Sequence, residues 1–335
     1  MVEYHADLKQ VQSDAQLCAL LGDGVQSAPF DRLAWWQGLT EHCGVEPLLA
    51  VARDGEAVAV LPLRRSSAGY EALANWYSFR FRPIVSGGGD ATGLLTAIAG
   101  SLVPRAGRLS LSGVAGEDGS AKLLRRAFED AGWLVFSDVC DINHILFLNG
   151  RKFSDYFDSR PGPLRTTLRR KSSKVATQIL DYFDAASWAD FEDVYRESWK
   201  PAEGSPDFLR SFAEAEGAAG RLRLGIARTE GRVVAAQLWT VEGNTAFIHK
   251  LAHREAAKAL SPGTVLSAAL FEHTIDRDQV ALIDFGTGDD PYKRDWMELT
   301  RPRYRLEILR PRHPANWPFI ARAFASRLAG RVNHG

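Results

Sequence analysis

The sequence predicts an α/β (α+β) fold of two domains, and three observations support this prediction. The chain has 335 residues, which is long for one compact domain. Two segments, 31–61 and 188–238, each have the pattern of a helix followed by a β-hairpin. A third segment, 280–296, has the pattern of a strand, a glycine turn and a helix start. Such junctions carry the chemistry of many α/β sheets.

The two helix–hairpin segments indicate a duplicated unit. In the first, apolar residues recur at helical spacing over 31–43, and two apolar runs then flank an Asp-Gly pair within 48–61. In the second, a helical pattern over 188–199 precedes two apolar runs that flank a Glu-Gly pair within 222–238. The second copy continues with a strand and a helix over 245–276. The first continues with an aromatic stretch and a glycine run, so the copies diverge after their hairpins.

The junction at 283–296 concentrates reactive side chains. Gly286 and Gly288 allow turn conformations that other residues avoid, and Asp290 followed by Pro291 predicts a helix start. Acid, phenol, amine and guanidinium groups lie within eleven residues, namely Asp284, Asp289, Tyr292, Lys293 and Arg294. A turn alone does not require these groups, so the junction is the leading candidate for a functional site.

A family resemblance rests on this junction. Asp-Phe-Gly-x-Gly-Asp-x-Pro-Tyr-Lys-Arg over 284–294, preceded by Ser-Pro-Gly-Thr over 261–264, resembles the Fem-type branch of the GNAT acyltransferase superfamily. More narrowly, it is similar to the CelD-like acetyltransferase domain of cellulose-biosynthesis type. The resemblance covers residues 150 to 310 well and the first half loosely. It implies two tandem GNAT-like domains with mixed, splayed central sheets, of which the second copy is catalytic.

The resemblance also suggests where the domains lie. An N-terminal degenerate GNAT-like domain is expected over 1–150 and a basic linker helix over 151–180. The catalytic GNAT-like domain is expected over 181–311, followed by a basic amphipathic tail over 312–335.

The donor-binding loop is assigned by the same resemblance. Ser261, Pro262, Gly263 and Thr264 follow a strand and open a helix, as the pyrophosphate loop of GNAT enzymes does. A helix N-terminus favours phosphate, although the same residues also suit a plain helix cap. The common Gln/Arg-x-x-Gly-x-Gly/Ala pattern of GNAT enzymes is absent here. The missing cation would come from Arg254, from Lys258 or from the cluster Arg169, Arg170 and Lys171.

Two residues compete as the base that deprotonates the amine. His249 lies on the strand that flanks the thioester in GNAT folds, and the ordinary pKa of histidine suits this step. Asp284 ends the next strand, where it would act as the base or orient Lys293 or His249. Tyr292 would protonate the departing thiolate, or it is a buried aromatic residue at a helix start. Lys293 would contact phosphate or the acceptor.

Two segments are strongly basic. Segment 151–174 carries eight Lys and Arg residues against two Asp, and its Leu-Arg-x-x-Leu-Arg-Arg run resembles a basic helix of the family. It is either a solvated linker helix or an anion site for a donor phosphate or a lipid head group. Segment 301–335 has eight Arg and one Glu. In it, apolar and basic residues alternate at helical spacing: Trp317, Ile320, Phe324 and Leu328 with Arg322, Arg327 and Arg331. This helix either packs on the protein or contacts an anionic membrane.

The composition is that of a soluble globular protein. Apolar residues make up 45% and charged residues 24%, and the net charge is zero, so no nucleic-acid partner is expected. Cys18, Cys43 and Cys140 have no metal-ligand spacing, so no metal is expected and a reducing compartment is favoured. The N-terminal residues lack a signal-peptide core, and no apolar run approaches the roughly 20 residues that cross a bilayer. A cytoplasmic protein is therefore expected, with the tail either free of the inner membrane face or peripheral on it.

The resemblance implies an N-acyltransferase that moves an acyl group from acyl-CoA or an acyl carrier protein to an amine. The expected acceptor is a long-chain lipid amine such as a sphingoid base, as in ceramide synthesis, or an amino sugar of the envelope or an exopolysaccharide. Two alternatives stay open. One is an inactive GNAT-like binding module for envelope or polysaccharide assembly. The other is a Fem-type aminoacyl-tRNA-dependent transferase, which the neutral charge and the lack of coiled-coil heptads disfavour.

Overall fold

The computed structural model describes residues 1–332, and it divides the chain into two compact units. The first unit consists of Met1–Gln26, Phe30–Ile142 and the described residues from Arg301 onward. The second unit consists of Ser27–Pro29 and Asn143–Thr300.

The elements up to residue 147 are β1 (Val2–His5), α1 (Leu8–Gln12), α2 (Ala15–Leu21), α3 (Leu33–Cys43), β2 (Pro47–Asp54), β3 (Ala57–Ser66), β4 (Gly69–Ala72), β5 (Ile84–Val85), α4 (Ala91–Leu102), β6 (Arg108–Ala115), α5 (Ser120–Asp130) and β7 (Leu134–Phe147). The later elements are α6 (Phe153–Asp158), α7 (Gly162–Lys171), β8 (Ala176–Leu180), α8 (Ala185–Arg196), α9 (Pro206–Ala218), β9 (Leu222–Thr229), β10 (Arg232–Glu242), β11 (Thr245–His253), α10 (Pro262–Glu272), β12 (Leu282–Thr287), α11 (Pro291–Trp296), β13 (Leu299–Leu309) and α12 (Trp317–Val332).

The sheet of the first unit has the order β1-β2-β3-β4-β6-β13, with β5 paired to β3. The predicted hairpin is confirmed, because β2 and β3 pair antiparallel as far as Asp54↔Ala57. Gly55 makes the turn possible, since its φ of 56° is in the left-handed region. The strands β4 and β6 pair parallel, so the sheet is mixed. Buried side chains of α4 and α5, including Ile98 and Phe128, pack in its core.

The sheet of the second unit has the order β7-β12-β11-β10-β9-β8. Its predicted hairpin is also confirmed, because β9 and β10 pair antiparallel from Thr229↔Arg232. Glu230 and Gly231 form the turn, both with positive φ. The strand β11 pairs antiparallel with β10 and parallel with β12. Helix α10 covers the core of this unit, where the Trp239 and Phe271 rings meet edge to face.

Both units contain an antiparallel hairpin followed by two parallel strands with a helix between them. In the first unit these are β2–β3 and then β4, α4 and β6. In the second they are β9–β10 and then β11, α10 and β12. The predicted α/β fold of two tandem units with mixed sheets is therefore confirmed.

The units differ in their limits from the predicted ranges 1–150, 151–180, 181–311 and 312–335. Strand β13 pairs with β6 from Arg303↔Ala115 to Leu309↔Arg108, so the chain returns to the first unit at residue 301 rather than ending the second at 311. The segment 151–180 is not one linker helix but α6, α7 and β8. Pro161 disfavours a helical residue before it and so separates the helices, and β8 joins the sheet of the second unit beside β9.

Candidate functional site

Strands β11 and β12 pair only where both begin. Their registered pairs are Thr245↔Leu282, Ala246↔Ile283 and Phe247↔Asp284. Beyond these pairs a cleft of about 610 Å³ opens, lined by Leu251 and His253 from β11 and by Phe285 from β12. Its volume is within the range of small-molecule sites. The cleft therefore lies between two strands of one sheet that have separated.

Both strands are irregular where they separate. On β11, Leu238↔Lys250 is followed by Trp239↔Ile248, so His249 is the extra residue of a β-bulge. A bulge bends its strand and is common beside active sites. On β12 the register with β7 shifts after Asp284, where Gly286 has a φ of 69°. The backbone edges of the two strands therefore face the cleft instead of each other.

The four predicted loop residues, Ser261 to Thr264, all line this cleft. Ser261 has a left-handed φ of 53° and precedes Pro262, the first residue of α10. The first intrahelical bond runs from the Val265 amide to the Ser261 carbonyl at 3.1 Å. The amides of Gly263 and Thr264 therefore lie at the positive end of the helix dipole, ahead of that bond. A Cβ on Gly263 would stand 3.4 Å from His253 Nδ1, in van der Waals contact, so a branched side chain would place further atoms against this ring.

Tyr292 also lines the cleft, next to Phe285. Its ring meets the Phe285 ring edge to face at 5.7 Å between centroids. Burial, aided by the negative charge of Asp290, raises the pKa of Tyr292 to about 12. The phenol is therefore protonated throughout the neutral range. Its hydroxyl has no hydrogen-bond partner among residues 1–332 as described.

Asp290 begins α11 as predicted, with Pro291 at the first helical position. The capping contact differs from the expected one, because the Asp290 carbonyl and not its carboxylate accepts from the Lys293 amide at 3.0 Å. The carboxylate instead lines the cleft beside Tyr292.

Asp284 and Lys293 do not line the cleft. Asp284 is 6% exposed, and its Oδ1 accepts from Asn143 Nδ2 at 2.7 Å and from the Gly286 amide at 2.8 Å. Lys293 is 4% exposed, and its ammonium donates to the Thr287 carbonyl. Both side chains therefore hold the 284–293 turn. The structure brings Tyr292 to the cleft that the loop 261–264 lines but places Asp284 and Lys293 beneath the turn.

His249 does not line the cleft either. Its Nε2 lies 2.8 Å from Thr240 Oγ1, and its ring stands edge-on to Phe212 of α9, 5.0 Å between centroids. The bulge thus directs this ring toward α9, while the neighbouring backbone of β11 faces β12.

The cations predicted for the donor phosphates have different positions. Arg254 is buried and forms ion pairs with Asp193 and Glu197, so its charge is already neutralised. Lys258 lines the cleft. Lys171 reaches the segment before the loop, where its Nζ donates to the Ala259 carbonyl at 2.9 Å. Arg169 and Arg170 are exposed and lie outside the cleft lining.

Sequence reasoning missed two aromatic residues of the cleft, Trp199 and His253. Their rings lie 4.4 Å apart, and burial lowers the pKa of His253 below its ordinary 6.5. Strand alternation signals His253, because it is two residues from Leu251 and so faces the same side of β11. Trp199 lies in the loop 197–205 between α8 and α9, and no sequence pattern connects it to the cleft.

A second cavity of about 510 Å³ lies between α8, the loop 197–205 and α9. Trp188, Phe191 and Leu209 give it an apolar floor, and each is buried. Charged side chains of both signs also line it, namely Glu192, Glu203 and Asp207 with Arg196 and Lys200. Trp199 lines the first cleft and its neighbour Lys200 lines this cavity, so the loop borders both.

Lys200 and Lys250 bring positive charge to this loop. Lys250 Nζ lies 2.6 Å from Glu203 Oε2. Burial, followed by the positive charge of Lys250, lowers the pKa of Lys200. The cavity therefore combines carboxylates with an ammonium group that releases its proton more readily than an exposed lysine.

Within the described residues, no helix is long and apolar enough to span a membrane, and no group of three His, Cys, Asp or Glu residues is placed to hold a metal ion.

Comparison with family models finds one match, in the second half of the chain. Residues 162–294 match the family model described as an acetyltransferase (GNAT) domain. This match includes the bulge, the loop 261–264 and the junction with Tyr292. No curated protein matches the sequence.

Solved structures share the fold of nearly the whole chain. FemX superposes with a TM-score of 0.59 at 12% identity, over 92% of this chain and 98% of that one. The C-terminal domain of a putative lysylphosphatidylglycerol synthetase from Agrobacterium fabrum gives 0.59 at 11%, over 94% and 95%. A tandem GNAT protein from the clavulanic acid biosynthesis pathway gives 0.54 at 13%, over 91% and 98%. At these identities the likeness shows the fold alone, which is that of tandem GNAT proteins.

Proposed function

We propose that this chain is an N-acyltransferase, because residues 162–294 match the GNAT acetyltransferase family model and the chain shares its fold with FemX and with a tandem GNAT protein. The enzyme moves an acyl group from acyl-CoA, or from an acyl carrier protein, to an amine. One observation carries the proposal. The pairing of β11 and β12 stops at Phe247↔Asp284, and the cleft that opens there joins a helix N-terminus to a protonated phenol.

The donor's phosphates bind at Ser261 to Thr264. The Gly263 and Thr264 amides and the dipole of α10 attract anions, and Lys258 adds a cation at the same wall. Lys171, with Arg169 and Arg170 in the same helix, contributes positive potential from the adjacent segment. The pantetheine arm then runs between Leu251 and Phe285, which offer apolar contact along the separated strands.

Acyl transfer forms a carbon–nitrogen bond and breaks the carbon–sulfur bond of the thioester. Backbone amides on the free edge of β11, next to the bulge at His249, donate to the carbonyl oxygen as charge develops there. The Tyr292 hydroxyl donates to the departing sulfur, and its raised pKa keeps that proton in place at neutral pH.

The proton of the attacking ammonium goes to a base, for which His249 is proposed. It is the bulged residue, and its ring lies on the side of α9, which also borders the second cavity. Asp284 and Lys293 are proposed as positioning residues. Their bonds to Gly286 and Thr287 fix the turn that carries Tyr292.

The amine acceptor occupies the second cavity. Glu192 and Asp207 would attract an ammonium group, since Glu203 is already paired with Lys250, and the aromatic floor suits an apolar chain. This combination favours a long-chain lipid amine, such as a sphingoid base, over an amino sugar of the envelope. The loop 197–205, which borders both cavities, would bring the amine next to the thioester.

Contact of α12 with the inner face of an anionic membrane is proposed as the source of a lipid acceptor. Trp317 is 60% exposed and Phe319 is 49% exposed, and Arg312 and Arg322 are exposed beside them. The remaining predicted members of this stripe have side chains outside the described set: Phe324, Arg327, Leu328 and Arg331. Flotation with phosphatidylglycerol vesicles, and its loss in Trp317→Ala/Phe319→Ala, would support this contact. Equal flotation of both proteins would refute it.

The proposal is tested by thiol release. The full chain is incubated with acetyl-CoA or palmitoyl-CoA and a panel of amines comprising sphinganine, glucosamine and lysine. We expect release that depends on both substrates and is fastest with palmitoyl-CoA and sphinganine.

Three other results would change the assignment. Tight CoA binding without release from any donor would indicate the inactive binding module. Fastest transfer to glucosamine would replace the lipid acceptor by an amino sugar. Transfer from aminoacyl-tRNA alone would indicate the Fem-type reaction.

A further inference from the structure

The first unit has its own opening between parallel strands. The strands β4 and β6 pair through Tyr70↔Leu109 and Glu71↔Ser110 only. A pocket of about 430 Å³ adjoins the end of this pairing and continues along the segment after β4. It occupies the topological position that the donor cleft occupies in the second unit, because each opens where the two parallel strands of its unit cease to pair.

The lining of this pocket is mostly polar. The lining side chains are Arg64, Glu71, Asn75, Ser78, Arg80, Ser110, Ser112, Arg305 and Glu307, with alanines and Gly113 between them. No aromatic side chain is among them. This composition does not suit a pantetheine arm or an acyl chain, so the pocket is not a second donor cleft.

Charges in the pocket are paired, with one exception. The ion pairs are Arg64 with Glu71, Arg80 with Asp31 and Glu307 with Arg108. Arg305 has no carboxylate within 4.0 Å in the described part of the chain. Its Nε donates to Ser112 Oγ at 3.1 Å, which holds the guanidinium at the pocket rim. The pocket therefore keeps one uncompensated positive charge.

Two neutral hydrogen-bond donors, Asn75 and Ser78, also line the pocket. The Asn75 Oδ1 accepts from the Tyr77 amide at 3.0 Å, which orients the carboxamide, and the Asn75 Nδ2 has no partner in the described part of the chain. Ser78 Oγ accepts from Trp35 Nε1 at 3.2 Å, so its own O–H remains available for donation. A buried donor without a partner is costly, and an oxygen-rich ligand that reaches it removes this cost.

We propose that this pocket binds the phosphate group of a phosphate ester. A guanidinium is the preferred partner of a phosphate, Ser112 orients that of Arg305, and Asn75 and Ser78 supply neutral donors for the remaining oxygens. The ester belongs either to a small soluble molecule or to a lipid head group. Trp76, which is 66% exposed next to Asn75, offers a flat apolar surface for the rest of the ligand. The site is independent of the acyl transfer proposed for the second unit.

Calorimetric titration of the full chain with glycerol 3-phosphate and with glycerol tests the site. We expect the ester to bind and glycerol not to bind, and we expect binding to weaken as salt is raised. Arg305→Gln should weaken binding about tenfold or more, because a charged hydrogen-bonding partner is removed. Asn75→Asp keeps the acceptor for the Tyr77 amide but adds a negative charge, and it should abolish binding.

The matched control is Arg126→Gln, an exposed arginine on α5 that lines no part of the pocket. Vesicles of phosphatidylglycerol and of phosphatidylcholine separate the two sources of the ester. Binding to the soluble ester alone identifies a small molecule, whereas binding to phosphatidylglycerol vesicles that Arg305→Gln removes identifies a head group. Binding of glycerol as tightly as of its phosphate, equal binding by Arg305→Gln, or no binding of any probe would overturn the proposal. None of these readouts requires a donor or turnover, so the acyltransferase assignment can fail without affecting them.

Discussion

The two parallel strand pairs of this chain show how one topology carries different chemistry. In the second unit, β11 and β12 separate around apolar side chains and a helix N-terminus. In the first unit, β4 and β6 separate around arginine, asparagine and serine side chains. The backbone arrangement is repeated, but the lining has changed from one that suits a thioester arm to one that suits an oxyanion.

The two units differ in the helix that follows the first of the two parallel strands, and in how close the start of that helix lies to the opening. Pro262 begins α10 directly at the cleft, so that the Gly263 amide lies in its lining. In the first unit, α4 begins at Ala91, after the long segment 73–90 that includes β5, and it lines no part of the pocket. A helix N-terminus within the opening therefore distinguishes the cleft of the second unit from its counterpart, and variants of the second unit test whether this distinction is functional.

Loss of the phenol should have the largest effect. Tyr292→Phe removes the proposed donor to sulfur, and we expect turnover to fall about 100-fold, a usual magnitude for general acid catalysis. The unfolding midpoint should not change, because the hydroxyl bonds to no described residue. Steady-state thiol release and thermal unfolding measure both. Tyr182→Phe, an exposed tyrosine of the same unit, is the control. Normal turnover by Tyr292→Phe would remove the catalytic distinction between the two openings.

Crowding of the donor loop should have the next largest effect. Gly263→Val places a branched side chain against His253 Nδ1 and above the loop amides, so we expect the KM for acyl-CoA to rise about tenfold, equivalent to roughly 1.4 kcal/mol. The kcat should change less. Gly162→Val provides a matched control, because Gly162 also opens a helix but a Cβ there meets nothing within 4 Å. An unchanged KM in Gly263→Val would place the phosphates elsewhere.

A smaller effect is expected for Asp284. Asp284→Asn keeps an acceptor for the Gly286 amide but loses the charge that strengthens both bonds, which should cost the second unit about 1 kcal/mol of unfolding free energy. Turnover should fall far less than in Tyr292→Phe. Asp276→Asn, an exposed carboxylate that accepts one backbone bond, is the control. A tenfold loss of turnover at unchanged stability would instead make Asp284 the base, as its position in the sequence suggested.

The sequence predicted the fold better than the site. Both hairpins, the junction and the α10 start follow from turn residues and local periodicity, which act over a few positions. The return of the chain to the first unit through β13 does not, because its pairing with β6 joins residues almost 200 positions apart. Neither unit contains a local pattern that specifies such a contact.

Local sequence patterns locate helix starts and strand ends, but they do not show which way each side chain points. The loop 261–264 and Tyr292 line one cleft, and both lie at helix starts that turn residues and proline indicate in the sequence. Asp284 and Lys293 belong to the same motif but turn inward, because Gly286 and Thr287 require polar partners there. His249 is the extra residue of a bulge, so its side chain does not follow the alternation of its strand, and no sequence pattern predicts this bulge. Trp199 reaches the cleft from a loop, so only the tertiary structure reveals it.

The smallest predicted effect is a difference in the pH below which each unit loses stability. Burial lowers the pKa values of His253 and His273 in the second unit below their usual 6.5. As the pH falls, these histidines are therefore protonated in the unfolded chain at a higher pH than in the folded chain. Stability that is present above pH 6.5 is lost as the pH falls below this value. In the first unit, burial opposes ionisation of Glu117, but the Arg303 charge outweighs it and holds the Glu117 pKa below its usual 4.5. That stability is lost only as the pH falls below about 4.5.

Hydrogen exchange at pH 4 to 7.5, resolved by unit, should therefore show the second unit losing protection at a higher pH than the first. In His253→Gln/His273→Gln the onset for the second unit should move toward lower pH, whereas His42→Gln, in α3 of the first unit, should not move it. Loss of protection at the same pH in both units, or an unmoved onset in the double variant, would contradict the assignment. The same measurement concerns the cleft, because His253 is one of its lining residues. Loss of protection there at a higher pH than elsewhere would reduce donor binding before the rest of the chain responds to acid.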